Sequence, residues 1–240
     1  MDMLEAIVLV LGGIGAGALS TMAGMGGGVL LVVTMSLALG PHAALATTAP
    51  ALLAGNLHRT WLYRHAVDRG VALTFLIGAL PGALVGGLVS ARMPDTAIEV
   101  LLVIVTAFAL ARAAGKLEWK PSARAYLPFA FGAGMVAAGS GAGILVSPIL
   151  VAGGLAGEAL IATSSVVAAT MHVGRIAGYG VAGLFGGAAL VVSLLLGGGI
   201  LAGNVLGGRV RARIGEAWCM RLTHLVLVVS LIAAVIGIAR

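Results

Sequence analysis

Long runs without charge alternate with short polar stretches along this chain. The apolar runs cover residues 4–22, 71–89, 98–110, 188–206 and 225–239, close to the roughly 20 residues a helix needs to cross a hydrocarbon core. Leucine and alanine fill them without the two-residue alternation of a barrel strand, and a chain in lipid must satisfy its backbone inside each segment. The pattern predicts an all-α polytopic membrane protein.

Composition agrees. Of the 240 residues, 60% are hydrophobic and 9% charged, with a mean hydropathy of +1.14. A water-soluble globular fold, with about 25% charged residues, is excluded. The net charge of +6 is spread between the apolar runs rather than gathered in a tail, which encodes membrane orientation and argues against a nucleic-acid partner. The single cysteine, Cys219, excludes an internal disulfide. Asp2 and Glu5 make the start acidic where a secretory signal needs positive charge, so residue 4 onward reads as mature structure. The longest polar connection, 113–124, is too short for a soluble domain.

The chain also repeats itself. Gly24, Gly26, Gly27 and Gly28 with Val29–Val32 stand beside Gly139, Gly141 and Gly143 with Ile144–Ser147 at an offset of 115. Thr47, Thr48, Arg59 and Tyr63 match Thr163, Ser164, Arg175 and Tyr179 at 116. Gly78, Gly82, Gly86 and Gly87 match Gly199, Gly203, Gly207 and Gly208 at 121. Two homologous halves, 1–115 and 116–240, are expected, each with four segments. A glycine-broken first helix precedes a second helix with unusual polar groups, a third with glycines every four residues and a plain apolar fourth.

In the first half these segments are 4–39, 43–63, 71–91 and 95–111. The glycines of the third helices read as packing surfaces, because small residues four apart let helix backbones approach in lipid. Pro81 predicts a kink, and Asp95 and Glu99 suit the first turn of the fourth helix. The segment 4–39 would be about 54 Å long as one helix, so the glycines must break it. The portion beyond the break is half a membrane long and closes at Gly40 and Pro41. This predicts a re-entrant hairpin, three crossings per half and a second half inverted relative to the first. Inversion also gathers the bases of 64–69, 112–124 and 209–213 on one face, leaving Arg92 paired with Asp95 on the other; eight full crossings would split them.

The breaks and the polar second helices carry the chemistry. A helix that starts in mid-membrane offers free N–H groups and the positive end of its dipole, an anion site. Inverted repeats would bring two such starts, at Gly26, Gly27 and Gly28 and at Ser140, Gly141, Ala142 and Gly143, toward one midplane. The alternative is that these glycines serve helix crossing alone. On the second helices lie Thr47 and Thr48, then Asn56, His58 and Arg59, and in the other half Thr163 and Ser164, then His172 and Arg175. Intramembrane ionisable groups are costly and usually functional. Spacing of three puts Asn56 with Arg59, and His172 with Arg175, on one helix face. Hydroxyls bonded to their own helix, or an Arg59 snorkelling to the basic face, would account for them without a ligand. Trp61, Trp119 and Trp218 fit interface anchoring. No zinc motif, phosphate loop or metal-spaced Cys/His cluster is present, so no metal or cofactor is expected.

With Gly40, Pro41 and His42 and the Ala46-Thr47-Thr48 and Ala162-Thr163-Ser164 triplets, these repeated motifs resemble the duplicated core of the sulfite exporter TauE/SafE family of permeases. The resemblance spans essentially the whole chain. It implies an inner-membrane transporter, in the export direction, for small sulfur-containing anions such as sulfite, sulfonates, sulfoacetate or thiosulfate. Its partners would be that anion and the lipid bilayer, and a coupling proton or other ion and a homodimer are left open. Ser140 and Ala142 depart from a glycine-only second motif, and Pro50 is unusual in a second helix. Two other classes compete: an intramembrane hydrolase with Ser140 as nucleophile and His172 as base, and a non-transporting membrane subunit. The first is weakened by symmetry, since Met25 stands where Ser140 does. The second leaves the paired arginines and broken helices unmotivated.

Overall fold

The computed structural model describes residues 2–23, 26–116, 126–141 and 145–239. Its secondary structure is helical throughout, with no strand among the described residues. The elements are α1 (Met3–Ala23), α2 (Gly27–Leu39), α3 (Pro41–Leu62), a 3-10 turn (Arg64–Ala66), α4 (Arg69–Ser90) and α5 (Asp95–Ala113). There follow α6 (Tyr126–Ser140), α7 (Val146–Ala152), α8 (Gly157–Val181), α9 (Gly187–Arg211) and α10 (Glu216–Ile238). Six of them, α1, α4, α5, α8, α9 and α10, contain a stretch long and apolar enough to cross a membrane. Helix α3 has the length, 22 residues, but carries several of the unusual polar groups. Helix α2, with 13 residues, is about 20 Å long.

Local chemistry explains several boundaries. The acidic start is a capping box: the N–H of Asp2 donates to Glu5 Oε2 at 2.9 Å and the N–H of Glu5 to Asp2 Oδ1 at 2.7 Å. Asp68 accepts from the N–H of Val71 at 3.0 Å and so caps α4. Pro41 is the first residue of α3, where its missing N–H costs nothing. Gly26 leads into α2 with φ of 97°, a left-handed conformation that a side chain would strain. Asp95 opens α5, but its bonded partner is His42, at 2.6 Å, rather than Arg92. The start of α3 folds back beside the start of α5, which adjacent sequence could not reveal.

The glycine-spaced third helices are packing surfaces, as their four-residue period predicts. On α9, Gly199, Gly203 and Gly207 lie against the backbone of Val10, Gly13, Ile14 and Ala18 in α1. On α4, Gly78, Gly82 and Gly86 lie against Leu127, Phe131 and Met135 in α6. Backbones this close gain dispersion contacts that lipid tails would otherwise supply. Gly174 and Gly178 of α8 pack the same way on Leu80, Leu84 and Gly87 of α4.

These pairings set directions. Helices α1, α3 and α9 run parallel: Val10 meets Gly199 and Ala18 meets Gly207, while Thr47 meets Ser193 and Gly55 meets Asn204. Helices α4, α6 and α8 run the opposite way, since α8 is antiparallel to α3, with Arg175 beside Leu45 and His65 beside Glu158. Helix α10 runs with α2, and α5 against both, judged by where Val33, Leu37, Glu99, Leu102, Ala233 and Gly237 line one crevice. Arg64, Arg69, Arg112, Lys116, Arg209, Arg211 and Arg213 thus gather at one end of the bundle, called here the basic face. Met3, Arg92, Asp95 and Ile238 lie at the other, the amino-terminal face.

Helix α1 is longer than a half-membrane hairpin needs. Its far end reaches the basic face, where Arg211 donates to the carbonyl of Met22 at 2.6 Å. Helix α2 starts one to two turns further in, beside Ala16 and Ser20, and returns to the amino-terminal face. Helices α3 and α8 form the centre: 67% of the apolar window of α8 is buried, against 22% for α1, which lies at the periphery.

Candidate anion site

Pro50 organises the middle of α3. It has no N–H to meet the carbonyl of Ala46, which leaves that one carbonyl without its helix partner. Donors from other helices enter there. The hydroxyl of Ser193 in α9 shares its hydrogen between the carbonyl of Thr47 and that of Ala189 on its own helix, each at 2.7 Å, and Arg175 in α8 donates from Nη2 to the carbonyl of Leu45 at 2.9 Å. The same Nη2 reaches Thr48 Oγ1 at 3.2 Å.

Arg175 is the most deeply placed cation, 1% exposed. Its Nη1 lies 3.3 Å from His172 Nδ1, the three-residue spacing having put both on one face. That contact assigns His172 the tautomer with its proton on Nε2. The guanidinium carbon sits 5.5 Å from the ring centre of Tyr179, whose hydroxyl donates to the carbonyl of Ala138 in α6. Two features of Arg175 have no internal compensation: its Nε is buried without a hydrogen-bond partner, and among the described residues no carboxylate pairs with it.

Asn56 and Arg59 form a second pair on α3, two to three turns from Thr48 toward the basic face. Arg59 donates from Nη2 to Asn56 Oδ1 at 2.5 Å, and Asn56 donates to the carbonyl of Leu52 at 2.8 Å. Arg59 does not snorkel freely into water. It is half-buried, and its Nε is enclosed without a partner, as is the hydroxyl of the adjacent Thr60.

The remaining expected positions divide. Thr48, His172 and Arg175 come together, and Gly28, in the first turn of α2, packs on Leu52, one turn along α3 from Thr48. Thr47, Thr48 and Ser164 bond to their own helices, through Ala43 at 2.7 Å, Ala44 at 2.7 Å and Ile161 at 3.1 Å, leaving their oxygen lone pairs to accept. Thr163 accepts from the N–H of Asp68 at 3.0 Å and holds the start of α4. Gly26 lies against Val226 and Leu227 of α10. Gly27 is filled in by α1, where a Cβ would collide with the carbonyl of Ala16 and with Ser20. Gly141, with φ of 68°, packs on Val32 of α2. Ser140 is buried and donates to the carbonyl of Val136 at 2.8 Å, not to His172, so no nucleophile and base are assembled there. Ala142 and Gly143 lie outside the described residues.

Two polar residues of α9, Asn204 and Ser193, bond to α3 although the repeat pattern does not single them out. Asn204 accepts from Thr21 at 3.0 Å and donates to the carbonyl of Gly55 at 2.9 Å, tying α1, α9 and α3 together. The signal was available: a lone amide in an otherwise apolar run is as unusual in lipid as a lone charge.

Residues 9–235, nearly the whole chain, match the family described as Sulfite exporter TauE/SafE. The chain belongs to the TauE/SafE family. No curated protein and no solved structure matches it. Family membership, with the six apolar helices, makes it a multi-pass membrane transporter of the sulfur-anion class and not an enzyme. A TauE/SafE transporter needs a place in a low-dielectric core where an anion is better off than in lipid, and among the described residues Arg175 is a buried guanidinium held by neutral partners alone.

Proposed function

We propose that this TauE/SafE protein exports sulfite or a similarly small sulfur oxyanion across the cell inner membrane by alternating access, with Arg175 as the cation that receives it. The observation that carries the reading is the state of Arg175: fully buried, with no carboxylate partner among the described residues and with Nε unused. On leaving Leu45 and Thr48 its planar fork can engage two oxygens of a sulfite or sulfonate group, and the first turn of α2, packed on Leu52 one turn along α3, adds the positive end of its dipole. A helix start contributes only about half a unit charge, so a side-chain cation is needed beside it.

The halves 1–115 and 116–240 are read as inverted repeats around this site. The contacts support that reading because they exchange: α1 packs on α9 as α6 packs on α4, and corresponding helices run in opposite directions. The expected result of cysteine labelling in a Cys219→Ala background is that Ala66→Cys, Ala113→Cys and Ala212→Cys all react from the same, cytoplasmic side. Reaction of Ala212→Cys from the side opposite Ala66→Cys would end the inverted reading.

His172 is the proposed coupling group. A proton on Nδ1 would break its contact with Arg175 and set two cations side by side, so proton and anion favour each other's binding. In proteoliposomes, sulfite, thiosulfate and sulfoacetate are expected to move, phosphate and chloride to move poorly. Flux is expected to respond to a pH gradient in wild type but not in His172→Gln. Taurine, a zwitterion, tests whether net negative charge is required. Chloride moving as well as sulfite would sink the assignment of a sulfur oxyanion.

A further inference from the structure

Only one of two equivalent cross-helix contacts is made in this structure. Arg175 of α8 reaches across to Leu45 and Thr48 of α3. Its counterpart Arg59 of α3 reaches no residue of α8 and bonds only to Asn56 on its own helix. The acceptors it would use are present. The antiparallel register that sets Arg175 beside Leu45 and Thr48, and His65 beside Glu158, sets Arg59 opposite Ile161 and Ser164. Those two stand in α8 where Leu45 and Thr48 stand in α3, at the offset of 116 that relates the arginines. Ser164 spends its hydroxyl hydrogen on Ile161 and keeps its lone pairs free, as Thr48 does with Ala44. Arg59 Nη2 is held by Asn56 Oδ1 on its own helix, where Nη2 of Arg175 reaches across to Leu45 and Thr48.

The two contacts also lie at different depths. The Arg175 contact is in the part of α3 nearer the amino-terminal face, and the Arg59 position is near the basic face. We propose that they are alternating latches. In the state seen here α8 is latched to α3 near the amino-terminal face by Arg175, and Arg59, held only by Asn56 on its own helix, is the cation left to meet an oxyanion from the basic face. In the opposite state Arg59 engages the carbonyl of Ile161 and the hydroxyl of Ser164, and Arg175 releases α3 and takes up the anion. This rests on the inverted arrangement of the halves and goes further by assigning each arginine to one state. An arginine cannot serve its latch and the anion fully at once, so anion binding and latch closure compete, which is how a bound ligand shifts a two-state equilibrium.

The test uses the whole protein in liposomes, in a Cys219→Ala background. Two reporters, Ala44→Cys near the amino-terminal face and Tyr63→Cys at the basic face, are reacted with a membrane-impermeant thiol reagent. Thr48→Val removes an acceptor from the latch that is made. It is expected to speed reaction at Ala44→Cys and slow it at Tyr63→Cys by about tenfold, the size of one lost hydrogen bond to a charged group. Ser164→Ala removes an acceptor from the other latch and is expected to shift both rates the opposite way. Thr48→Ser and Ser164→Thr keep the hydroxyls and should leave the rates near wild type, which separates the latch from a folding defect. If Thr48→Val is poorly folded, Thr48→Ala makes the same deletion with less bulk. Both deletions shifting the rates in one direction, or neither shifting them, overturns the alternation. If Ala212→Cys instead labels from the side opposite Ala66→Cys, it is the inverted reading that has failed.

Discussion

Arg175→Gln is expected to weaken sulfite binding by on the order of a hundredfold or more, measured by calorimetry or ligand-induced thermal shift on purified protein. Truncating one member of a buried, hydrogen-bonded charge pair typically costs about 2–5 kcal/mol, because the other charge is left in the interior without compensation. Here the other charge is the anion. Arg175→Lys should lose less, about tenfold, since the ammonium keeps the point charge but not the fork that holds two oxygens. Arg175 also braces α3 through the carbonyl of Leu45, so a fall in thermal stability alone would show nothing about the anion. The deciding quantity is affinity in protein that still folds. If Arg175→Gln bound sulfite as wild type does, the guanidinium would be only a strut. The site would then rest on backbone amides, since the hydroxyls of Thr47, Thr48 and Ser164 donate to their own helices and Thr163 is held by Asp68.

The largest structural effect is expected at the glycine seams. In Gly82→Val the new Cβ would fall on the backbone of Phe131 in α6, and Gly203→Val would do the same to Ile14 and Ala18 in α1. Neither neighbour can rotate away, because the contact is with main chain. Overpacking usually costs about 1–3 kcal/mol when side chains can shift. With a rigid backbone in the way, both variants should fail to give a monodisperse protein in detergent-based size exclusion. Gly198→Ala is the matched control: it lies one residue from Gly199 on the same helix, but its Cβ would meet nothing within 4 Å. Normal assembly of Gly82→Val would show that α4 and α6 do not pack through that surface. Gly27→Ala belongs with the seams, since α1 already fills the space beside it.

Much of the architecture could be read along the chain, and the reason is the solvent. Lipid forbids an unsatisfied backbone, so charge-poor runs have to be helices; some boundaries came close, as for 95–111 against Asp95–Ala113, whereas the run 225–239 missed the more polar first turns of Glu216–Ile238. The four-residue glycine period was legible as packing because a helix brings such positions to one face whatever lies opposite. The pairing of Asn56 with Arg59 and of His172 with Arg175 followed from the same helical geometry. Contacts between helices were not legible in this way. No local rule says that Gly27 faces α1 rather than open space, that Asp95 meets His42, or that Asn204 ties three helices together. Nor could spacing say that Arg175 and Ser193 donate to α3 near Pro50, or that Arg175 crosses to α3 while Arg59 stays on its own helix. Sequence by itself determined the helices, their apolar faces and which polar groups had to lie in the membrane, because those depend on neighbours three and four residues away. Only the tertiary structure decided which of those groups are compensated and which are left with unused donors, because that depends on partners more than a hundred residues distant.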